Sequence, residues 1–398
     1  MNRTGTATLA ATLLVVTAVF TAEAGTRNCK PAWKCAPPTG TAPSPTPRVT
    51  ASPMTTPMTT PQMTFIATPA PTTAPTVAPT ASPSRPFPPP TTTRTVTAPN
   101  PTGGDDFASL NAFIEGVPDG SVIVFPDGVY RLSQGVMLGS RQNLVLQLGN
   151  AEFRLTGSGS SHFSSAFIPG YRRNVGWTGG AAHISFIGGV VVGNDTCPGC
   201  PQPLRGENQQ AVRCNGSRFI EVTGMEVRAV SGDGAFFDNC DDVWVHHNEI
   251  VTAGRNGWTL IKGYRHLVED NVYRDCGYAV FDIEPNFQNE PSGDVLIRRN
   301  TAGGGAGTPW QNGIGLLSVD GGARQALIER VTFDDNTSTI PLQVYVGENR
   351  NVYTGKTMRD ITVTDNTGPT GGVVRIAHVT GYTVSGNSAP TVIVDSVP

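Results

Sequence analysis

The sequence predicts an all-β chain wound as a single-stranded parallel β-helix, and three observations predict it. A motif of the form apolar-x-apolar-x-x-Asn recurs at Val243–Asn248, Val295–Asn300, Ile361–Asn366 and Tyr382–Asn387, with a variant at His266–Asn271. Its asparagines return every 21–29 residues, with one interval of 66 between Asn300 and Asn366 that fits two turns around Asn336. Each unit reads as a strand, a tight polar turn, a second strand and a loop, with apolar and polar residues alternating along the strands. A unit of this kind cannot bury its apolar face alone and needs neighbours stacked above and below. The repeated asparagines suit the bends, where they tolerate left-handed angles and bond to their neighbours, so they are read as scaffold.

The first 24 residues read as a secretory signal: Arg3 before an apolar run at Leu9–Phe20, then a small-x-small site at Ala22-Glu-Ala24. The run is too short to span a bilayer comfortably, and no later stretch spans one. Residues 25–102 carry Cys29 and Cys35 and then a Pro/Thr/Ala/Ser-rich stretch with a Met-Thr-Thr-Pro repeat at Met54–Thr60. That composition buries no core and predicts a disordered, extended stalk before a domain at 103–398. Lys+Arg 28 against Asp+Glu 31 leaves no basic excess for nucleic acid. The 46 glycines suit a turn-rich β protein.

Seven cysteines in an exported chain predict disulfides that staple loops, with Cys29 and Cys35 paired and one thiol left over. The sharper alternative is a zinc site from Cys197, Cys200 and Cys214. Asn194, Asn215 and Asn336 fit the N-glycan acceptor pattern.

Asp105–Val117 has helical apolar spacing (Phe107, Leu110, Phe113, Ile114), with Asp residues at its start. The stretch Val117–Leu132 follows, with Pro-x-Gly before a strand and Pro-x-Gly-x-Tyr after it. This entry resembles the N-terminal capping arrangement of the pectin-lyase-like superfamily over roughly residues 103–398. The resemblance implies a right-handed parallel β-helix capped by a short helix. Activity does not follow from it, because the superfamily holds lyases, hydrolases, epimerases and non-catalytic adhesins. Val243-Trp-Val-His-His-Asn is similar to a Val-Trp-Ile-Asp-His-Asn stretch of pectate lyases, with His246 in place of the Asp. The lyase pattern Arg-x-Pro-x-x-Arg and the polygalacturonase Gly-His-Gly and Arg-Ile-Lys are absent from the sequence.

Further coils are predicted at Asn143–Leu155 and Ala182–Val192, separated by interruptions at Ile168–Ala181 and Asn194–Val212. The first interruption holds Tyr171, Arg172, Arg173 and Trp177, whose aromatics suit either sugar stacking or packing on the barrel.

The candidate chemistry comes from aligning the second strands on Gly234, Gly257, Gly277 and Gly313. Alternation puts Phe281 and Ile283 inside and turns Asp282 and Glu284 outward together. The alignment sets Lys262 one rung below Asp282 and Asp320 one rung above Glu284. Three carboxylates and one ammonium on one wet face could divide acid and base roles, as in a glycosidase. Alternatively they could hold Ca²⁺ with Lys262 as the base of a lyase. Trp310, Arg255, His247 and Tyr264 are the expected substrate contacts, and His246 or His247 a possible proton shuttle. The predicted function is a secreted, monomeric polysaccharide lyase or glycoside hydrolase, and the alternative is a non-catalytic glycan-binding adhesin at a cell surface.

Overall fold

The described coils run through up to three faces of parallel strands, and hydrogen bonds join each strand to its counterpart one coil on. The computed structural model describes residues 85–157, 161–194, 208–287, 289–303, 315–320, 326–347, 358–388 and 391–395, all in one unit, Pro79–Pro398. The signal at 1–24, Cys29, Cys35, most of the stalk, Cys197, Cys200 and Trp310 lie outside the described residues. No described helix is long and apolar enough to cross a membrane.

The first face stacks Val136–Gly139, Phe167–Pro169, Val212–Asn215, Ala235–Asp238, the start of Trp258–Glu269, Ala279–Ile283, Gly315–Asp320, Gln343–Gly347, Val373–Ala377 and Thr391–Asp395. The second face runs from Arg94–Thr97 and Ser121–Val124 through Asp241–His246 to Thr380–Ser385. The third is made of short strands such as Glu249–Ile250 and Val272–Tyr273. Alternate residues point inward and stack in columns of like side chains. Ile220, Val243, His266 and Val295 form one such column and Phe237, Leu260 and Ile283 another. A single apolar core therefore runs the length of the solenoid.

Between the second and third faces stand Asn248, Asn271, Asn300, Asn336, Asn366 and Asn387. Each of the first five donates its backbone N–H, at 3.0 Å, and its side-chain amide, at 2.9–3.0 Å, to the amide oxygen of the next. Asn336, expected as a degenerate repeat, is a full member. It is wholly buried, so its glycan-acceptor pattern is unusable. One expectation is corrected here: positive φ falls on the residue before each asparagine (His247 53°, Asp270 56°, Arg299 53°, Asp335 50°, Asp365 53°). The asparagine itself must turn its amide inward along the axis, and the residue before it makes the bend.

The helix Phe107–Gly116 closes the N-terminal end with Leu110 and Ile114 buried. Asp106 precedes it without capping it; its carboxylate instead accepts from Thr102 and from the Arg131 N–H at 3.0 Å. The buried Asn111 donates to the Gly135 carbonyl at 3.1 Å and accepts from the Met137 N–H at 2.8 Å, tying cap to coil.

The fold reaches further toward the N-terminus than the sequence suggested. Arg94–Thr97 adds a strand to the second face, and residues 85–91 lie against that face. There Arg85 pairs with Glu221 and donates to the Ser185 hydroxyl at 3.1 Å, Phe87 packs on Phe219 with centroids 5.7 Å apart, and the Thr91 N–H donates to Asn143 at 3.1 Å.

Cys214 and Cys240 form a disulfide between adjacent coils, which removes Cys214 from the expected zinc set. Among the described residues Cys276 is a free, buried thiol.

Candidate functional site on the first face

The outward residues of the first face make a polar floor. One outward column runs Arg213, Phe236, Thr259 and Asp282 and, past the rung at Ser318, continues with Tyr345 and Arg375. A second column, nearer the bend into the second face, begins Asn215, Asp238 and Lys262.

Asp282 and Glu284 do share the outer side, since Phe281 and Ile283 are in the core. They are not, however, a wet pair. Asp282 is 1% exposed and accepts from the Asn256 side-chain amide at 3.0 Å. Glu284 is partly exposed, with its carboxylate 3.3 Å from the Arg255 guanidinium. Lys262 is not one rung below Asp282; Thr259 holds that place, and Lys262 stands beside Asp238. The cause is the glycine alignment. Gly277 stacks on the preceding turn, donating to the Ala253 carbonyl at 2.8 Å, while Gly257 donates to Ala279 at 3.2 Å. A register shift between Phe237 and Asp238 moves Lys262 one place further. One rung on, Asp282 pairs with Ser318 and Ile283 with Val319.

Arg255 belongs to the site through contacts the sequence did not show. Besides Glu284 it reaches Asp233, 3.9 Å away. Asp233 is fully buried and accepts from the Asn256 N–H at 3.1 Å. Burial pushes the Asp233 carboxyl up, against the Arg255 charge and the Asn256 and Thr259 hydrogen bonds. Arg213 lies over the Phe236 ring at 4.4 Å, and burial lowers its pKa to about 10 despite Asp233 and Asp238. Asp238 accepts from the Asn215 amide at 2.9 Å; burial and the Glu290 charge raise its pKa, while Arg213 and Lys262 oppose them. Sequence reasoning missed Arg213, Asp233 and Asp238. The first-face column through Val212, Ala235 and Trp258 would have found them.

Aromatic side chains border this floor. Tyr278 precedes Ala279–Ile283 and is 49% exposed, Phe287 follows that strand at 56%, and Tyr345 stands in the outward column at 37%. Exposed rings beside a polar floor suit the apolar faces of sugars, while the floor offers hydrogen bonds. Among the described residues no group of three His, Cys, Asp or Glu is placed to hold a metal.

Two expected contacts are elsewhere. His247 is exposed in the bend after the second face, 2.8 Å from the His246 ring. His246 is largely buried, stacked on Trp244 at 3.6 Å and 3.2 Å from Glu221; burial lowers its pKa to about 4. Tyr264 begins the second face, beyond the sharp turn at Gly263 (φ 145°), where a Cβ would strike the Cys240 carbonyl. Neither reaches the Asp282 cluster.

No family model matches the sequence, and neither does any curated protein. Solved structures do match in fold. PfbA, a surface adhesin of Streptococcus pneumoniae, is 16% identical over 75% of this chain and 89% of that one, with a TM-score of 0.50. A hyperthermoactive exopolygalacturonase from Thermotoga maritima is 13% identical over 77% and 93%, with a TM-score of 0.48. An alginate lyase from Paenibacillus is 12% identical over 76% and 99%, with a TM-score of 0.45. The chain has the pectin-lyase-like parallel β-helix fold. Polysaccharide-active enzymes and an adhesin both stand among the similar structures.

Proposed function

We propose that this chain is an exported, monomeric polysaccharide-binding protein whose first face holds an extended glycan. The observation that carries this reading is the exposure of Tyr278, Phe287 and Tyr345 beside a floor whose central carboxylates are engaged within the protein. Asp282, one of the expected catalytic carboxylates, is nearly sealed from solvent, which suits a supporting role better than proton transfer to a sugar. Residues 1–24 would direct export and the Pro/Thr-rich stretch would hold the domain away from a surface. The Cys214–Cys240 disulfide supports an oxidising, extracellular setting.

A second reading, a glycoside hydrolase or lyase, is favoured by one arrangement. Arg255 is shared between Asp233, whose carboxyl is pushed toward its protonated form, and the more exposed Glu284. A guanidinium shared by a buried and a more exposed carboxyl is an arrangement from which acid and base roles can be divided. A polysaccharide panel separates the readings, scored for binding, for new reducing ends and for unsaturated uronate absorbance, with calcium and with a chelator. Binding without depolymerisation, weakened about tenfold by Phe287→Ala or Tyr345→Ala, is the expected result. Turnover that Glu284→Gln abolishes would replace it with the enzyme, and turnover lost only with the chelator would add calcium.

A further inference from the structure

Two side chains key residues 85–91 to the outside of the second face. Ser185 and Glu221 stand on adjacent rungs there, between core residues that turn them outward, yet they are only 1% and 6% exposed. Arg85 meets both of them. It pairs with Glu221 and donates to the Ser185 hydroxyl, which itself donates to the same carboxylate at 2.6 Å. Phe87, also buried, packs on Phe219, and that ring is stacked on His183 with centroids 4.4 Å apart. A cation and an aromatic ring, two residues apart, are thus each matched by a complementary partner on the solenoid.

Glu221 is shared with a titratable ring. Its Oε2 takes Arg85 and Ser185, while its Oε1 lies 3.2 Å from Nε2 of His246, one rung on. Other charges face His246 as well. Glu269 on the following rung and Asp270 beside it favour a proton on the ring, and Arg85 opposes one. Glu269 is paired with Arg298 and Arg299, and His247 meets the His246 Nδ1. Burial, helped by the Arg85 charge, prevails and keeps His246 neutral at pH 7. The coupling is reciprocal: a docked Arg85 disfavours the imidazolium, so a formed imidazolium disfavours the docked Arg85. In acid two cations then compete for one carboxylate.

The register gives the docked segment its span. From Arg94–Thr97 the second face climbs through Ser121–Val124, Gln142–Leu155 and Ala182–Val192 to Arg218–Thr223. Those four steps carry the chain about 19 Å along the axis. Undocked and extended, residues 85–93 reach about 30 Å.

We propose that the second face carries a docking site for the chain's own Arg85-Pro-Phe87 segment, a clip that holds the tether at neutral pH and releases it when His246 is protonated. Held, the tether leaves the domain beside Glu221. Released, it leaves from Arg94 near the helix-capped end and gains residues 85–93 in length. Nothing in the clip depends on what the first face binds.

The full chain is pulse-labelled with hydroxyl radicals at pH 7 and at pH 4, and oxidation of Phe87 is read by mass spectrometry against the core ring of Phe333. In wild type, Phe87 labelling should rise several-fold in acid while Phe333 stays unlabelled. Arg85→Met should be labelled at Phe87 at both pH values, and His246→Gln at neither. Ring NMR should place the His246 pKa about one pH unit higher in Arg85→Met than in wild type, a tenfold gain in proton affinity. Phe87 protected at pH 7 in Arg85→Met overturns the docking site. An unchanged His246 pKa in that variant, or acid labelling of His246→Gln equal to wild type, overturns release by protonation. Phe333 labelled together with Phe87 means that the whole domain opens, and overturns the clip.

Discussion

The Arg255 guanidinium lies 3.3 Å from the Glu284 carboxylate and 3.9 Å from the carboxylate of the fully buried Asp233. Removing it as Arg255→Met should cost about 3 kcal/mol, because a buried carboxyl loses its counter-charge. Glu284→Gln, at a partly exposed position, should cost less than about 1 kcal/mol. The Asp233 pKa is raised in the folded state, so its ionisation opposes folding as pH rises through that pKa. The Arg255→Met deficit should therefore be larger at pH 8 than at pH 5. Urea unfolding at both values measures it, and equal deficits would detach Arg255 from Asp233.

Asn300 tests the spine. Its amide donates to the Val268 and Arg298 carbonyls at 2.9 and 3.0 Å and to Asn336, while its oxygen accepts twice from Asn271. Asn300→Ala leaves several buried groups unmatched and should cost about 3 kcal/mol, read as a shift in the denaturation midpoint. Asn387→Ala, at the exposed end of the row, should cost about 1 kcal/mol. Equal costs would mean the stacked asparagines do not act as a buried row.

Two histidines set an acid limit. His246 and His266 are both lowered by burial to about 4 from 6.5, and the His266 Nε2 lies 2.8 Å from the Cys240 carbonyl. The unfolded chain protonates first as pH falls, so stability is lost between pH 6.5 and 4, by about 3 kcal/mol for each ring. His246→Gln should flatten the stability–pH curve in that window, and a curve unchanged in slope would show that the ring titrates normally.

The thiols should differ sharply. Reducing Cys214–Cys240 should destabilise the domain by about 2–4 kcal/mol. Cys276 is buried and its thiol is pushed well up by that burial. Peptide mapping after native alkylation should find it unlabelled until denaturant is added, and rapid native labelling would contradict its burial.

The backbone was far easier to read than the site, for a physical reason. Stacking repeats the same environment at each rung, so Asn248, Asn271 and Asn300 announce themselves by recurrence. The floor of the first face does not repeat: its outward column passes from Arg213 to Phe236 to Thr259 to Asp282. Only the register places those residues side by side, and counting from glycines mixed two turns, Gly254 with Gly277 and Gly257 with Val280. Arg85 and Phe87 sat in proline-rich sequence with no periodicity, so their packing on Glu221 and Phe219 left no sequence signal.

Consecutive asparagines of the row lie 23, 29, 36, 30 and 21 residues apart, yet their bonds keep the same lengths throughout. Insertions of a dozen residues thus pass between rungs without altering the pitch. Excursions at the margins of the first face can lengthen, shorten or change composition while the spine beneath stays fixed. Recognition and stability in this molecule are inherited through separate parts of the chain, and one can be rewritten without disturbing the other.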